Sequence, residues 1–307
     1  MNVRKQELGS VVVICGATAS AKASVARRLA KRLGGEIVSA DSRKVYRGLD
    51  VGTAKPGLEA RRAVAHHLID VVDPGEHFDA SMFVDLADRA IEEITLRGNI
   101  PLVVGGTGLY IRSLLKGIIR TPDVDETLRK SYMELERREP GVLHKMLLAS
   151  DPKSAARIGR TDVRRLVRAL EVLELTGKSI SWLQQQQGLK SRYRSVVFAI
   201  RWSRDELYSR INERVLRMMA AGWLDETISL MATVGTGALD IVGYRQLVRY
   251  LRQECSLSDA VKDIQKAHRR YARQQLKWFR ADADVEWIDA PVDLDMLAQK
   301  VEAFMGL

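Results

Sequence analysis

Residues 16–23, GATASAKA, set a glycine and a lysine at the spacing of the phosphate-cradling pattern G-x-x-x-x-G-K-[ST]. In such a loop, backbone N–H groups and the N-terminus of the next helix point at an anion, and the lysine adds a point charge. The anion-binding candidates are Gly16, Ala17, Thr18, Ala19, Ser20, Ala21, Lys22 and Ala23. Two positions depart from the pattern. Ala21 stands where the second glycine belongs, and a positive φ there would cost about 1–2 kcal/mol. Ala23 lacks the hydroxyl that faces a metal or a phosphate oxygen, and Ser24 cannot replace it, because one residue along a helix turns the side chain by about 100°. The same stretch also fits a plain strand–turn–helix with an exposed lysine. Asp41, within SADS (39–42), could accept a proton or help hold a metal; it could equally cap a helix. Gly105-Gly106-Thr107-Gly108 would let the backbone approach a ligand beside a threonine hydroxyl, or simply form a tight turn.

These residues need strands to present them. Residues 11–15 (VVVIC) are a β-branched apolar run ending at Gly16, which predicts a buried strand. Residues 22–33 carry Val25, Leu29 and Leu33 on one helical face, and Gly34-Gly35 ends that helix. EIVSAD (36–41) and PLVVGG (101–106) read as further strands, with a helix over 80–98 between them. Each chemical candidate thus follows a strand, where open α/β sheets bind ligands. From Pro122 to about Gly188 no strand is evident; the segment is charged and helical, ending in Gln184 to Gln187. VVFAIRW (196–202) and VEWID (285–289) read as strands again, with helices over 205–221 and 257–280. The predicted organisation is an α/β core in two parts, 1–121 and 195–307, interrupted by an all-helical insertion domain over 122–194.

Hydrophobic residues make up 46% of the 307, sufficient for a sizeable core. No apolar run approaches the roughly 20 residues of a membrane span, so no membrane partner is expected. The two cysteines, Cys15 and Cys255, form no disulfide framework or metal spacing, and a cytoplasmic location is expected. The net charge of +10 favours a polyanionic partner. Arginines crowd 157–168, and Arg269, Arg270, Arg273, Lys277 and Arg280 interleave with Tyr271, Trp278 and Phe279, a composition that suits RNA backbone contact with base stacking. Arg210, Arg214 and Arg217 share one helical face; either one reaches an anion or the three form a solvated stripe.

In order, the blocks GATASAKA, SADS, VYRGLDVGTAKP (45–56), HHLID (66–70), GGTGLY (105–110), RALEV with LTGK (168–178), GYRQL (243–247) and RRYARQQLKWFR (269–280) resemble the tRNA dimethylallyltransferases, across about residues 11–289. The resemblance implies a P-loop NTPase-like, mostly parallel sheet with flanking helices. It implies transfer of a dimethylallyl group from its pyrophosphate to the exocyclic amine of the adenine beside the anticodon; a monomer is expected. Lys22 and its loop would bind the pyrophosphate with Mg²⁺, Asp41 would take the amine proton, and Thr107 would position either group; the protein ligands of the metal stay open. Contacts to the tRNA anticodon stem-loop would come from Asp41, Ser42, Arg43, Lys44, Thr107, Arg129, Arg164, Arg165, Arg168, Asp240, Gly243, Tyr244, Arg245, Arg273, Gln274, Lys277 and Arg280. Gln274 stands where the family has an arginine, and Arg43 and Lys44 replace more neutral residues. Two other readings remain: a tRNA-binding paralogue whose catalysis is impaired by Ala21 and Ala23, and a small-molecule kinase of the P-loop type.

Overall fold

The computed structural model describes residues 8–187 and 191–307; residues 1–7 and 188–190, within the expected core and insert, lie outside the described residues. In chain order the elements are β1 (Ser10–Gly16), α1 (Lys22–Leu33), β2 (Gly35–Ala40), α2 (Leu58–Ala63), β3 (His66–His67), α3 (Ala80–Leu96), β4 (Ile100–Gly105) and α4 (Gly108–Lys116). Then come α5 (Glu126–Arg138), α6 (Val142–Ser150), α7 (Pro152–Ala155), α8 (Val163–Thr176) and α9 (Ile180–Gln187). The remainder is β5 (Arg194–Arg201), α10 (Arg204–Ala220), α11 (Trp223–Val234), α12 (Tyr244–Leu251), α13 (Leu257–Arg280), β6 (Val285–Asp289) and α14 (Leu294–Met305). A 3₁₀ turn covers Gly237–Leu239.

The chain divides into two compact units, Met1–Leu115 with Ser191–Leu307, and Lys116–Lys190. The divisions fall before 121/122 and 194/195 because Arg192 already bonds back to the first unit: its amide donates to the Leu115 carbonyl at 2.9 Å.

The first unit is built on six parallel strands in the order β3-β2-β4-β1-β5-β6. Val11 to Cys15 are fully buried, as expected of a parallel strand covered on both faces. Register aligns the strand ends: Cys15 pairs with Gly105, and Gly105 with Ala40. The loops after β1, β2 and β4, which carry Lys22, Asp41 and Thr107, therefore leave the sheet at one edge. Helix α1 packs Val25, Ala26, Leu29 and Ala30 inward and stops at Gly34, whose φ of 66° is left-handed. A second apolar cluster, around Trp223, Tyr244, Leu247 and Ile264, assembles α10 to α13.

The second unit has α5 to α9 around Tyr132, Leu143, Leu166 and Leu170, and no strand among its described residues. Glu171 is fully buried there and accepts from Arg129, Arg168 and the Asp125 amide.

Candidate active site

The loop after β1 is left-handed at Ala19 (φ 63°) and at Ala21 (φ 68°). Ala21 is the N-cap of α1 and supplies no side-chain cap. The first helical bonds run from Ser24 and Val25 to the Ala21 carbonyl, so the Lys22 and Ala23 amides precede the hydrogen-bonded ladder. Such a terminus favours an anion. Lys22 Nζ folds back on the Ala17 carbonyl at 3.0 Å. Burial pulls its pKa down to about 7; Asp41 opposes this, while Arg214 and Lys44 add repulsion.

Asp41 follows β2. Its Oδ1 accepts the amides of Arg43 (2.9 Å) and Lys44 (3.4 Å), the local turn that aspartate often makes. Burial alone would raise its pKa, but the Lys44 charge, the two amides and Lys22 outweigh burial and hold it below the usual carboxylate value. Thr107 Oγ1 accepts the Ser42 amide at 3.1 Å, and the Thr107 amide donates to the Ala40 carbonyl at 3.2 Å. The turns after β2 and β4 are thus one unit.

A cavity of about 1040 Å³ opens over these residues, lined by the loop from Thr18 to Ser24, Asp41 to Lys44, Asp50 to Leu58, and parts of α10 and α13. Its walls carry many more arginines and lysines than carboxylates. Arg214 donates to Thr18 Oγ1 at 3.1 Å and to the Thr53 carbonyl at 3.3 Å; Arg210 donates to the Ala19 carbonyl at 3.0 Å. Arg217 instead is largely exposed. Of the three arginines at 210, 214 and 217, all of which border the cavity, Arg214 is the one that bonds the Thr18 side chain of the anion loop.

Lys55 and Asp70, in the VYRGLDVGTAKP and HHLID blocks, form an ion pair at 2.6 Å, joined by Arg61. His67 bonds Glu36, and His66 the Val64 carbonyl, both structural roles.

Several expected RNA contacts are placed differently. Tyr244 is fully buried with its hydroxyl on Glu226 at 2.6 Å, and Gly243 (φ 97°) leaves no room for a Cβ beside Trp223, so both positions pack against the Trp223 cluster. Arg129 and Arg168 are committed to the buried Glu171, whose charge requires them. Arg164 and Arg165 are exposed, Arg165 beside Asp162. Ser42, Arg43 and Lys44 border the cavity. Asp240 pairs with exposed Arg245 at 3.2 Å, and Arg273, Gln274, Lys277 and Arg280 are exposed along α13.

Two site residues escaped sequence reasoning. Glu226 accepts three successive amides, of Asp50, Val51 and Gly52, and so shapes one cavity wall. Gln275 accepts the Thr18 amide and donates to the Gly106 carbonyl. Neither sits in a pattern that marks chemistry; the glycines they hold, at 52 and 106, were the available signal.

No cluster of three His, Cys, Asp or Glu side chains suits a metal among the described residues. Asp41 is a cavity-wall carboxylate that interacts electrostatically with Lys22. A hard divalent ion bound through one carboxylate and substrate phosphates fits such a site, whereas an all-protein cage does not.

A phosphate loop at the end of the central strand, under a cationic cavity, defines a P-loop NTPase-like α/β protein. The family model described as IPP transferase matches residues 44–282. The tRNA dimethylallyltransferase of Anaeromyxobacter dehalogenans (strain 2CP-C) is 47% identical over 298 residues, covering 95% of this chain and 99% of its own. That of Geobacter sulfurreducens is 42% identical over 301 residues, 96% and 97% of the two chains. Among solved structures, the tRNA isopentenylpyrophosphate transferase of Bacillus halodurans superposes with TM-score 0.70 at 38% identity, covering 98% of this chain and 96% of its own. A eukaryotic dimethylallyltransferase acting on tRNA gives TM-score 0.82 at 27% identity, with 96% and 78% coverage. The chain belongs to the IPP transferase family, and it is a transferase of the tRNA-prenylating kind.

Proposed function

We propose that this protein transfers the dimethylallyl group of dimethylallyl pyrophosphate to the N6 amine of the adenine on the 3′ side of the tRNA anticodon. The observation that carries this reading is that the Lys22 loop and Asp41 line one cavity, with Thr107 bonded to the cavity-wall residue Ser42. The loop amides, Lys22 and Arg214 bind the pyrophosphate and stabilise the charge that develops on it as the carbon–oxygen bond breaks. The N6 nitrogen forms the new bond to the prenyl carbon, and its proton passes to Asp41, which is ionised at neutral pH. Thr107 orients the amine or the carboxylate. Mg²⁺ accompanying the pyrophosphate would neutralise leaving-group charge.

The adenine must leave the anticodon stack to enter the cavity. The exposed basic residues of α13, with Arg43 and Lys44 at the cavity rim, suit the phosphates flanking that base, and exposed Arg164 and Arg165 suit phosphates of the stem-loop. Arg129 and Arg168 contribute by ordering the helical unit that presents them.

Ala21 and Ala23 favour a second reading, a tRNA-binding paralogue with little catalysis. A filter assay with labelled dimethylallyl pyrophosphate and unmodified tRNA separates the two. Label transferred to tRNA, and suppressed by inorganic pyrophosphate, supports transfer; tight, salt-sensitive tRNA binding without transfer supports the paralogue. Phosphoryl transfer from ATP to a small molecule would overturn both.

A further inference from the structure

The Gln275 side chain is buried at 6% exposure and spans two loops that are remote in sequence. Its Oε1 accepts the Thr18 amide at 2.8 Å; its Nε2 donates to the Gly106 carbonyl at 2.9 Å. An amide N–H has to meet an acceptor and a carbonyl a donor, so the two partners fix the carboxamide orientation. Thr18 lies in the anion loop and Gly106 immediately precedes Thr107.

The GGTG turn is shaped around this contact. A Cβ at Gly106 would lie 2.2 Å from Gln275 Nε2, and one at Gly108 would lie 2.1 Å from the Trp278 ring. Gln275 and Trp278, three residues apart on α13, therefore grip the turn on either side of Thr107. Position 106 is glycine because the glutamine occupies the space.

We infer that Gln275 is a positioning residue that fixes the spacing between the pyrophosphate loop of the cavity and the Thr107 turn, which is bonded to Ser42 of the cavity wall. The inference rests on the transfer reading above. It adds that α13, whose exposed residues include Arg273 and Lys277, holds the leaving-group side and the acceptor side of the reaction in register through one buried amide. Thr18 is the point of attachment: Gln275 holds its backbone and Arg214 its hydroxyl.

The test compares wild type with Gln275→Met, which is near-isosteric and makes neither hydrogen bond, and with Gly106→Ala, which displaces the same side chain from the opposite side. Affinity for inorganic pyrophosphate is measured by calorimetry without tRNA, and kcat and both KM values by transfer. Both variants are expected to lose roughly tenfold or more in kcat and about fivefold or more in pyrophosphate affinity, with the tRNA KM within about twofold. A merely structural role would lower the melting temperature and the active fraction, and leave pyrophosphate affinity per active molecule unchanged. That outcome, or wild-type kcat and affinity in both variants, overturns the inference. If Gln275→Met does not fold, Gly106→Ala decides alone. Wild-type protein that binds pyrophosphate but transfers nothing would sink the transfer reading, while the pyrophosphate measurements would still judge the positioning of the loop.

Discussion

Thr107 accepts the backbone amide of Ser42 at 3.1 Å, one residue past Asp41. The hydroxyl and the carboxylate are thereby built into one rigid corner rather than two independent turns. Thr107→Val keeps the shape and removes the acceptor. The expected result is a loss in kcat on the order of 10²-fold, with stability lowered by about 1 kcal/mol. Thr107→Ser should retain most of the rate. Steady-state kinetics and thermal melts on the two variants check this, and an unchanged kcat in Thr107→Val would remove Thr107 from the mechanism.

Ala21 holds φ at 68°, where a Cβ is strained. Ala21→Gly relieves that strain but frees the unfolded chain, for a net gain of about 0.5–1 kcal/mol. Melting should rise by a few degrees. Ala23→Thr restores the hydroxyl at the loop's eighth position and should raise kcat severalfold at low Mg²⁺ concentration. Equal rates at every Mg²⁺ level would mean that position 23 does not face the reacting phosphates.

Lys22 has its pKa pulled down to about 7, burial being the main cause. In the free protein the ammonium is charged below that pH and increasingly neutral above it. A bound polyanion favours the charged form, so affinity for pyrophosphate is highest below about pH 7. Above it, the affinity attributable to Lys22 falls by up to about tenfold per pH unit until the lysine of the complex titrates. Binding at pH 8 should take up a proton, read by calorimetry in buffers of different ionisation heat, and Lys22→Met should abolish that uptake. Uptake that persists in the variant would assign the proton elsewhere.

Glu171 separates two kinds of arginine in the helical unit. Arg168, whose carboxylate partner is fully buried, should cost about 2 kcal/mol of that unit's stability when changed to alanine. Arg165→Ala should leave the melt unchanged. It should weaken tRNA binding and reduce the slope of log affinity against log salt by about one. The opposite assignment of effects would mean that Arg168 contacts RNA directly.

Much of this architecture is written locally. The strand at 11–15, the helix at 22–33 and the basic helix at 257–280 carry their period in adjacent residues, and each appears where the pattern puts it. β3 escaped because two residues, His66 and His67, have no period; the sheet recruits them through β2. Helices α11, α12 and α14 carry no comparably clear local pattern, and α11 and α12 are held by Trp223 and Tyr244 packing at long range. The anion loop, Asp41 and Thr107 were legible because their spacing is short. Gln275 was not, since its two partners lie 257 and 169 residues away and nothing local distinguishes it from Gln274. Arg214 could be narrowed only to one of three on a helical face, because the choice depends on how α10 meets the loop.

The most direct measurement places wild type and Asp41→Asn side by side with dimethylallyl pyrophosphate, Mg²⁺ and an unmodified tRNA bearing adenine next to its anticodon, followed by nuclease digestion and mass spectrometry. Dimethylallyl-adenosine at that single position in the wild type, reduced by several orders of magnitude in Asp41→Asn while tRNA binding persists, is the predicted result. No prenylated adenosine from a wild-type protein that binds both substrates, or equal product from the variant, would contradict the account.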